Sequence, residues 1–169
     1  MVAALTHAKK GWEDTKPAMD ALGRKAQILK EWFADAVDRD TAAFNKVLAA
    51  IRMPRKTEAD VQAREAALAA ANLRAALVPL EVLEHAIEVM TLALEAATDG
   101  NPNSVSDAGV AGACATAAAH GASLNVRINL PGLGTNEQAT LRDRHDAAMS
   151  RIDDLAAAVA AAVDEVLEA

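Results

Sequence analysis

Apolar residues in this chain recur at intervals of three and four, and sustained alternation of polar and apolar residues is absent. The series Leu22, Leu29 and Phe33 shows the helical spacing. Few β-branched residues cluster, and no Asn-Gly hairpin turn occurs. Roughly a quarter of the chain is alanine, which favours helix while adding little apolar area. The sequence therefore predicts an all-α fold.

Prolines and capping residues predict where the first long helices begin and end. A helix is expected from near Pro17 to Ile51, because proline suits an early helical position and Met53-Pro54 cannot continue the helix. A second helix is expected from Thr57, whose hydroxyl can accept from the backbone near Asp60, to Gly100. Pro79 lies inside this second helix and is predicted to kink it or divide it.

The C-terminal part of the chain has weaker boundary signals. Ser104 and Asp107 form an S-x-x-D helix start, and Gly121 is predicted to interrupt the helix that follows. Thr135 with Gln138 is predicted to cap a last helix that runs close to the C-terminus. The expected architecture is a single domain over residues 1–169, an antiparallel bundle of about five to six helices.

Charge and composition exclude two classes of partner. The chain has 17 basic and 24 acidic side chains, a formal charge of −7, and 2% aromatic residues, so it lacks both the cationic surface and the stacking rings that nucleic acids require. Its longest stretch without charged residues, 108–126, contains Gly, Asn, Ser, Thr and His, which argues against membrane insertion.

Cys114 is the only cysteine, so an intrachain disulfide is impossible and a reducing, cytoplasmic setting is expected. Its alanine neighbours suggest that it is a small buried residue. The alanine tracts at 117–119 and 156–162 allow close helix packing but bury little area, so subunit association is expected to supply part of the stability.

The histidines do not predict a metal site. None of the four forms a His-x-x-x-His or Glu-x-x-His pair on one helix face. Glu81 lies four residues before His85, and we interpret this spacing as an ordinary i,i+4 contact rather than as a pair of metal ligands.

A few polar residues have two possible roles. Asp107 can cap its helix or act as an acid or base in a cleft. Asn125 and Asn129 share a helix face, where their amides either bond a neighbouring helix or hold a polar ring. Asp40 lies one turn before Phe44, beside an apolar face, and Lys9 with Lys10 is more often a solvated helix end than a binding site.

Several separated motifs resemble, in order, those of the cyclodeaminase/cyclohydrolase family, which includes the cyclodeaminase half of formiminotransferase-cyclodeaminase and stand-alone methenyltetrahydrofolate cyclohydrolases. Together they cover most of the chain and are far more specific than any one alone. They are KKGW at 9–12, VDRDTAAF at 37–44, MPR at 53–55, VPLE at 78–81, GNPNSVSDAGV at 100–110 and GASLNVRIN at 121–129.

The resemblance implies a dimeric, all-helical folate enzyme without metal or cofactor. Such an enzyme closes 5-formiminotetrahydrofolate to the methenyl form with loss of ammonia, or hydrolyses methenyltetrahydrofolate. Both reactions need proton transfer at a one-carbon bridge, for which Asp107 is the first candidate and Asp40 the second. The resemblance also implies that the pterin ring is bound by Asn101, Asn125 and Asn129. The glutamate tail is then expected to be bound by Lys9 and Lys10.

One departure from the family pattern leaves an alternative open. The family usually begins with a helix that carries a P-G-G-G-S type segment, whereas residues 1–6 look like the last turns of that helix. A chain without this segment is expected to be either a shortened enzyme or a non-catalytic helical binding or assembly module that has kept the fold.

Overall fold

The computed structural model describes all 169 residues, which form five α-helices joined by short connections that include three 3-10 helices, and contains no strand. The helices are α1 (Val2–Ala8), α2 (Lys16–Ile51), α3 (Glu58–Asp99), α4 (Val105–Asn129) and α5 (Thr135–Leu167). The prediction of an all-α fold with about five helices is confirmed.

Contacts between successive long helices show that they run antiparallel. Arg64 Nε of α3 donates to the carbonyl oxygen of Ile51 at the end of α2, and Arg39 in the middle of α2 reaches Glu81 in the middle of α3. Along α4 and α5, the position of Gly112 faces Val159, near the C-terminus of α5. The molecule is thus an up-and-down bundle with α1 packed on its side.

The long helices begin and end where local chemistry predicts. Pro17 occupies the first turn of α2. The Thr57 hydroxyl accepts from Asp60 N at 3.1 Å while the Asp60 carboxylate accepts from Thr57 N at 3.0 Å, a complete capping box at the start of α3. The predicted cap of α5 is wrong: Gly134 precedes that helix, and its N–H donates to Glu137 Oε2.

Pro79 does not divide α3, which continues for 42 residues. Proline has no N–H, so the carbonyl of Ala75, four residues earlier, loses its helical donor. Asn129 Nδ2, at the end of α4, donates to that carbonyl oxygen at 3.1 Å. Of the two predicted outcomes, a kink or a division, the division is wrong, and a side chain 54 residues away supplies the hydrogen bond that proline cannot make.

The predicted interruption of α4 at Gly121 is also wrong, since the helix runs unbroken to Asn129. A glycine inside a helix costs only about 1 kcal/mol relative to alanine. Closer to its N-terminus, Gly109 and Gly112 let α4 approach α5, because an added Cβ would lie 3.3 Å and 2.8 Å from the methyls of Val163 and Val159. These two glycines therefore serve packing.

The core is centred on α3, which packs against α2, α4 and α5. The larger of two apolar clusters joins α3, α4 and α5 and includes Leu80, Met90 and Ile152, all fully buried. The smaller cluster joins α1 and α2 to the C-terminal end of α3 and the start of α4 around Met19 and Val105. By length and composition alone, α3 is apolar enough to cross a membrane, with an 18-residue window of mean hydropathy 1.5. In this fold it is the central helix of the bundle.

Cys114 is exposed on α4, so the prediction that it is buried is wrong. The other side of the same helix, with Ala115 and Ala119, faces the core. A helix made almost entirely of small apolar residues has no polar stripe to indicate which side is buried. The outward side also presents Val110, Leu124 and Ile128, which are 63%, 62% and 77% exposed.

Candidate active site

The largest cavity lies between the N-terminal halves of α1, α2 and α4 and the C-terminal half of α3, with a volume of about 560 Å³. Its walls are mostly apolar and include Ala3, Phe33, Leu92 and Ala111, one from each of the four helices. Cavities of this size and character are typical of small-molecule sites.

Asp107 is the only carboxylate among the residues that line this cavity. It lies in the first turn of α4, where free backbone N–H groups and the helix dipole provide a positive field. The capping interpretation is wrong, because no side-chain hydrogen bond caps α4 and the Ser104 hydroxyl is buried without a partner. The Asp107 side chain is half-buried, at the boundary between the cavity and solvent. Gln27 and Lys30 of α2 are the other polar residues of the lining.

Asp40 lies elsewhere. It is exposed on α2 and does not line the cavity, so the two candidate carboxylates do not share a cavity within one chain. Phe44, one turn further along, is 60% exposed, so the apolar side chain beside Asp40 belongs to the outer surface of α2.

Lys9 and Asn101 are brought together although 92 residues separate them. Lys9 Nζ donates to Asn101 Oδ1 at 3.0 Å and lies 5.0 Å from the centre of the Trp12 ring. Lys10 is exposed. The sequence predicts Lys9 and Asn101 as ligand contacts, and in this structure they contact each other.

Asn129 and Asn125 lie one turn apart at the end of α4. Asn129 Nδ2 donates both to Ala75 O of α3 and to Asn125 O at 2.8 Å, so both amide hydrogens are used within the protein. The Asn125 side chain is exposed. Neither residue lines the cavity. Of the two roles considered for these amides, the hydrogen bond from Asn129 to α3 matches the bond to a neighbouring helix.

Sequence reasoning missed a charged cluster between α2 and α3. The Glu81 carboxylate accepts from Arg39 Nη1 at 2.8 Å and from Arg74 Nη1 at 2.9 Å. Trp32 stacks on His85 with ring centres 3.6 Å apart and carries the Arg39 guanidinium on its ring. Arg39 and Glu81 both belong to motifs that carry the family resemblance. This shared membership is the sequence signal that could have identified them.

His85 does not pair with the Glu81 carboxylate. Its Nδ1 lies 2.8 Å from the backbone carbonyl oxygen of Glu81, and no group of three or more His, Cys, Asp or Glu residues is arranged to hold a metal ion. The spacing of these two residues reflects a contact within α3.

A second missed feature is a hydrogen-bonded chain between α4 and α5. Ser123 Oγ lies 2.7 Å from His145 Nε2, and His145 Nδ1 lies 2.7 Å from Asp146 Oδ1. The order matches that of a serine hydrolase triad. Ser123 and His145 are buried between two helices and line none of the larger cavities. These hydrogen bonds therefore link α4 to α5.

Two charged groups outside the cavity have shifted pKa values. Hydrogen bonds from the backbone amides of Glu13 and Gly11 lower the pKa of the Glu13 carboxyl, which is fully exposed. A hydrogen bond with Glu84 raises the pKa of Arg144, and the two side chains meet in a bidentate contact at 2.9 Å between α5 and α3.

An all-helical bundle with an apolar cavity and one free carboxylate has the features of a small-molecule enzyme or binding domain. The family model described as formiminotransferase-cyclodeaminase matches residues 1–150, and the chain belongs to this family.

Relatives include both activities of the family. The methenyltetrahydrofolate cyclohydrolase of Methylorubrum extorquens is 35% identical over 79% of this chain and 64% of its own length. The rat formimidoyltransferase-cyclodeaminase is 29% identical over 86% of this chain and 27% of its own length. The chain thus spans less than two thirds of either relative.

A solved structure agrees in fold. The crystal structure of formiminotetrahydrofolate cyclodeaminase from Thermotoga maritima superposes with a TM-score of 0.86 at 24% identity, over 99% of this chain and 80% of that one. The likeness confirms the helical fold over essentially the whole chain.

Proposed function

We propose that this chain is a folate one-carbon enzyme that either closes 5-formiminotetrahydrofolate to methenyltetrahydrofolate with release of ammonia or hydrolyses methenyltetrahydrofolate. Asp107 supports this most strongly, because it is the one carboxylate in the largest cavity and belongs to the motif at 100–110. The family membership and the names of the relatives support the choice of a folate substrate.

Asp107 is assigned the proton transfers. In ring closure, N10 attacks the formimino carbon and loses its proton to the carboxylate, which returns it to the amine that leaves as ammonia. In hydrolysis, a water molecule adds to the methenyl carbon while the same carboxylate removes one of its protons. The bond from that carbon to one of its two nitrogens then breaks, the nitrogen takes up the remaining hydroxyl proton, and the carbon is left as the formyl group. The apolar walls around Phe33 and Leu92 suit the aromatic part of the substrate.

One cationic side chain of the cavity and one exposed lysine outside its lining suit the glutamate tail. Lys30 lines the cavity itself, and the exposed Lys10 remains available because, unlike Lys9, it makes no contact with Asn101. Asn125 and Asn129 remain proposals for ring binding, with the free oxygen of Asn129 as its available group, whereas Oδ1 of Asn101 already accepts two hydrogen bonds within the protein.

The replacement Asp107→Asn tests the proposal. Loss of a positioned acid–base group should lower kcat by about 10²- to 10⁴-fold while the protein stays folded. Methenyl absorbance follows both reactions, and calorimetry with folinic acid follows binding. Asp38→Asn, an exposed carboxylate on α2, is the matched control, and Asp40→Asn measures the second candidate.

A folded native chain that binds folinic acid but turns over neither substrate would favour the alternative of a binding module. A folded chain that neither binds nor turns over folates would contradict the proposal.

We further propose that the chain is a homodimer whose interface includes the outward face of α4. Val110 lines the cavity and is 63% exposed, and Leu124 and Ile128 continue the apolar surface along the same helix. The small residues between them, such as Ala118 and Gly121, permit close approach of a second helix. A partner there would cover part of the cavity mouth.

Sedimentation at micromolar concentration should give twice the mass of 17.6 kDa, and Leu124→Glu should halve it. Leu167→Glu, which changes a residue 64% exposed at the end of α5, is the control. A monomeric native chain would contradict the dimer without affecting the proposed chemistry.

A further inference from the structure

Helix α1 forms one wall of the cavity that contains Asp107. Met1, Val2 and Ala3 line it, and Val2 is 7% exposed. The helix fits closely because residue 100 is a glycine, at which an added Cβ would lie 2.8 Å from Val2 Cγ1 and 2.3 Å from Ala96 O. The wall is therefore built directly against the link between α3 and α4.

Thr6 connects this wall to the link. Its hydroxyl is fully buried, donates to Val2 O at 2.9 Å and accepts from Asn101 N at 2.8 Å. Removal of the hydroxyl would leave Asn101 N without an acceptor. A buried polar group without a partner destabilises a protein by about 1–3 kcal/mol. Thr6 thus holds the start of α1 and the link in one arrangement.

Asn101 extends the connection toward α4. Its Oδ1 accepts from Lys9 Nζ at 3.0 Å and from Asn103 N at 3.2 Å. Asn103 belongs to the short turn that leads directly into α4, whose first turn carries Asp107. One side-chain oxygen therefore joins the end of α1 to the segment that places the carboxylate.

We propose that Thr6 and Asn101 form a latch that holds α1 in place as a wall of the Asp107 cavity and thereby sets the affinity of the cavity for its ligand. Neither residue lines the cavity, so both are positioning residues. The folate nature of the ligand rests on the proposed function, whereas the coupling of the latch to the wall rests on the hydrogen bonds alone.

The replacement Thr6→Val keeps the shape of the side chain and removes both hydrogen bonds. It should raise KM and the Kd for folinic acid about tenfold and leave kcat within about twofold, because the wall is loosened and the reacting group is kept. Asp107→Asn should show the opposite pattern, with a change in kcat. Thr6→Ser should restore native affinity. Thr98→Val, which removes a hydroxyl bonded only within α3, is the matched control.

Two readouts do not depend on turnover. In a Trp32→Phe background Trp12 is the only tryptophan, and its emission reports the ammonium of Lys9 above its ring. Thr6→Val should shift that emission and increase amide exchange in residues 2–8. If Thr6→Val proves unstable, Asn101→Ala should shift the emission and increase amide exchange in residues 2–8, because it removes the hydrogen bonds of Oδ1 with Lys9 and Asn103.

The outcomes separate the latch from the proposed function. Unchanged exchange and emission in Thr6→Val would overturn the latch even in an active enzyme. Loosening of α1 with unchanged affinity for folinic acid would also overturn it, since the wall would then not set affinity. A native chain with no folate binding or turnover would contradict the proposed function, while the exchange experiment would still decide whether Thr6 holds α1.

Discussion

The inner face of α4 carries Gly112 and Ala119 against α5 and the core, whereas the outer face carries Cys114 and Gly121 in the open. The residues on the two faces are similar in size and polarity. Their difference lies only in what the rest of the chain places beside them. Small residues therefore have no fixed effect on stability, and each face predicts a different response to the same change.

The largest effect should come from added volume. Ala119 is fully buried, so Ala119→Leu should lower the free energy of unfolding by about 3 kcal/mol through overpacking. Ala118→Leu, one residue away on the exposed side, should change the free energy of unfolding of the monomer by less than about 0.5 kcal/mol. Urea unfolding at one protein concentration measures both, and equal effects would remove the distinction between the faces.

Replacement of Gly112 and of Gly121 by alanine should change the free energy of unfolding in opposite directions. Gly112→Ala places a Cβ 2.8 Å from Val159 Cγ1 and should cost about 1–2 kcal/mol by forcing α4 from α5. In the monomer, Gly121→Ala meets nothing within 4 Å and should stabilise the helix by about 0.5–1 kcal/mol. Thermal unfolding of the two variants provides the comparison. A loss of stability in Gly121→Ala, accompanied by a lower mass in solution, would locate that residue in a subunit interface.

The hydroxyl on the inner face should matter less than volume. Ser123→Ala removes the 2.7 Å partner of His145 Nε2 and should cost about 1 kcal/mol, because the buried ring nitrogen loses its hydrogen bond. Ser150→Ala, at an exposed position of α5, serves as the control with an expected change below about 0.5 kcal/mol. Denaturant titration resolves the difference. Equal values would mean that the link between α4 and α5 contributes nothing measurable.

The smallest effect is expected at Cys114. Its exposure predicts that Cys114→Ser changes the free energy of unfolding by less than about 0.5 kcal/mol, and that a thiol reagent labels the native monomer readily. Protection of the thiol at high protein concentration would show that association covers the outer face. Protection at every concentration would instead mean that Cys114 is buried within the chain.

Some predictions that depended on neighbouring residues succeeded, although the caps predicted for α4 and α5 were wrong. Thr57 with Asp60 caps α3, and α2 ends before Met53-Pro54, since a capping hydroxyl and a proline act on backbone groups within four residues. Predictions that depended on distant residues failed. Pro79 needed Asn129 to remain inside one helix, and the exposure of Cys114 depended on which side of α4 met α5.

The predictions for the candidate site show the same difference between neighbouring and distant residues. Asp107 was singled out from its motif, and the structure adds that it lines a cavity rather than capping a helix. Lys9 and Asn101 were both selected as polar residues, but their mutual contact could not be predicted across 92 residues. Thr6 carried no sequence signal, because a threonine in a short helix has many ordinary roles.

By itself, the sequence determined the helices, their principal boundaries and the family, because periodicity, caps and motifs are recorded in short stretches of residues. Only the tertiary structure decided which side of the alanine-rich α4 is buried, which donor satisfies Ala75 O, and which helices enclose Asp107. The physical reason is that small apolar side chains and single backbone groups acquire their energetic roles from partners far away in the chain.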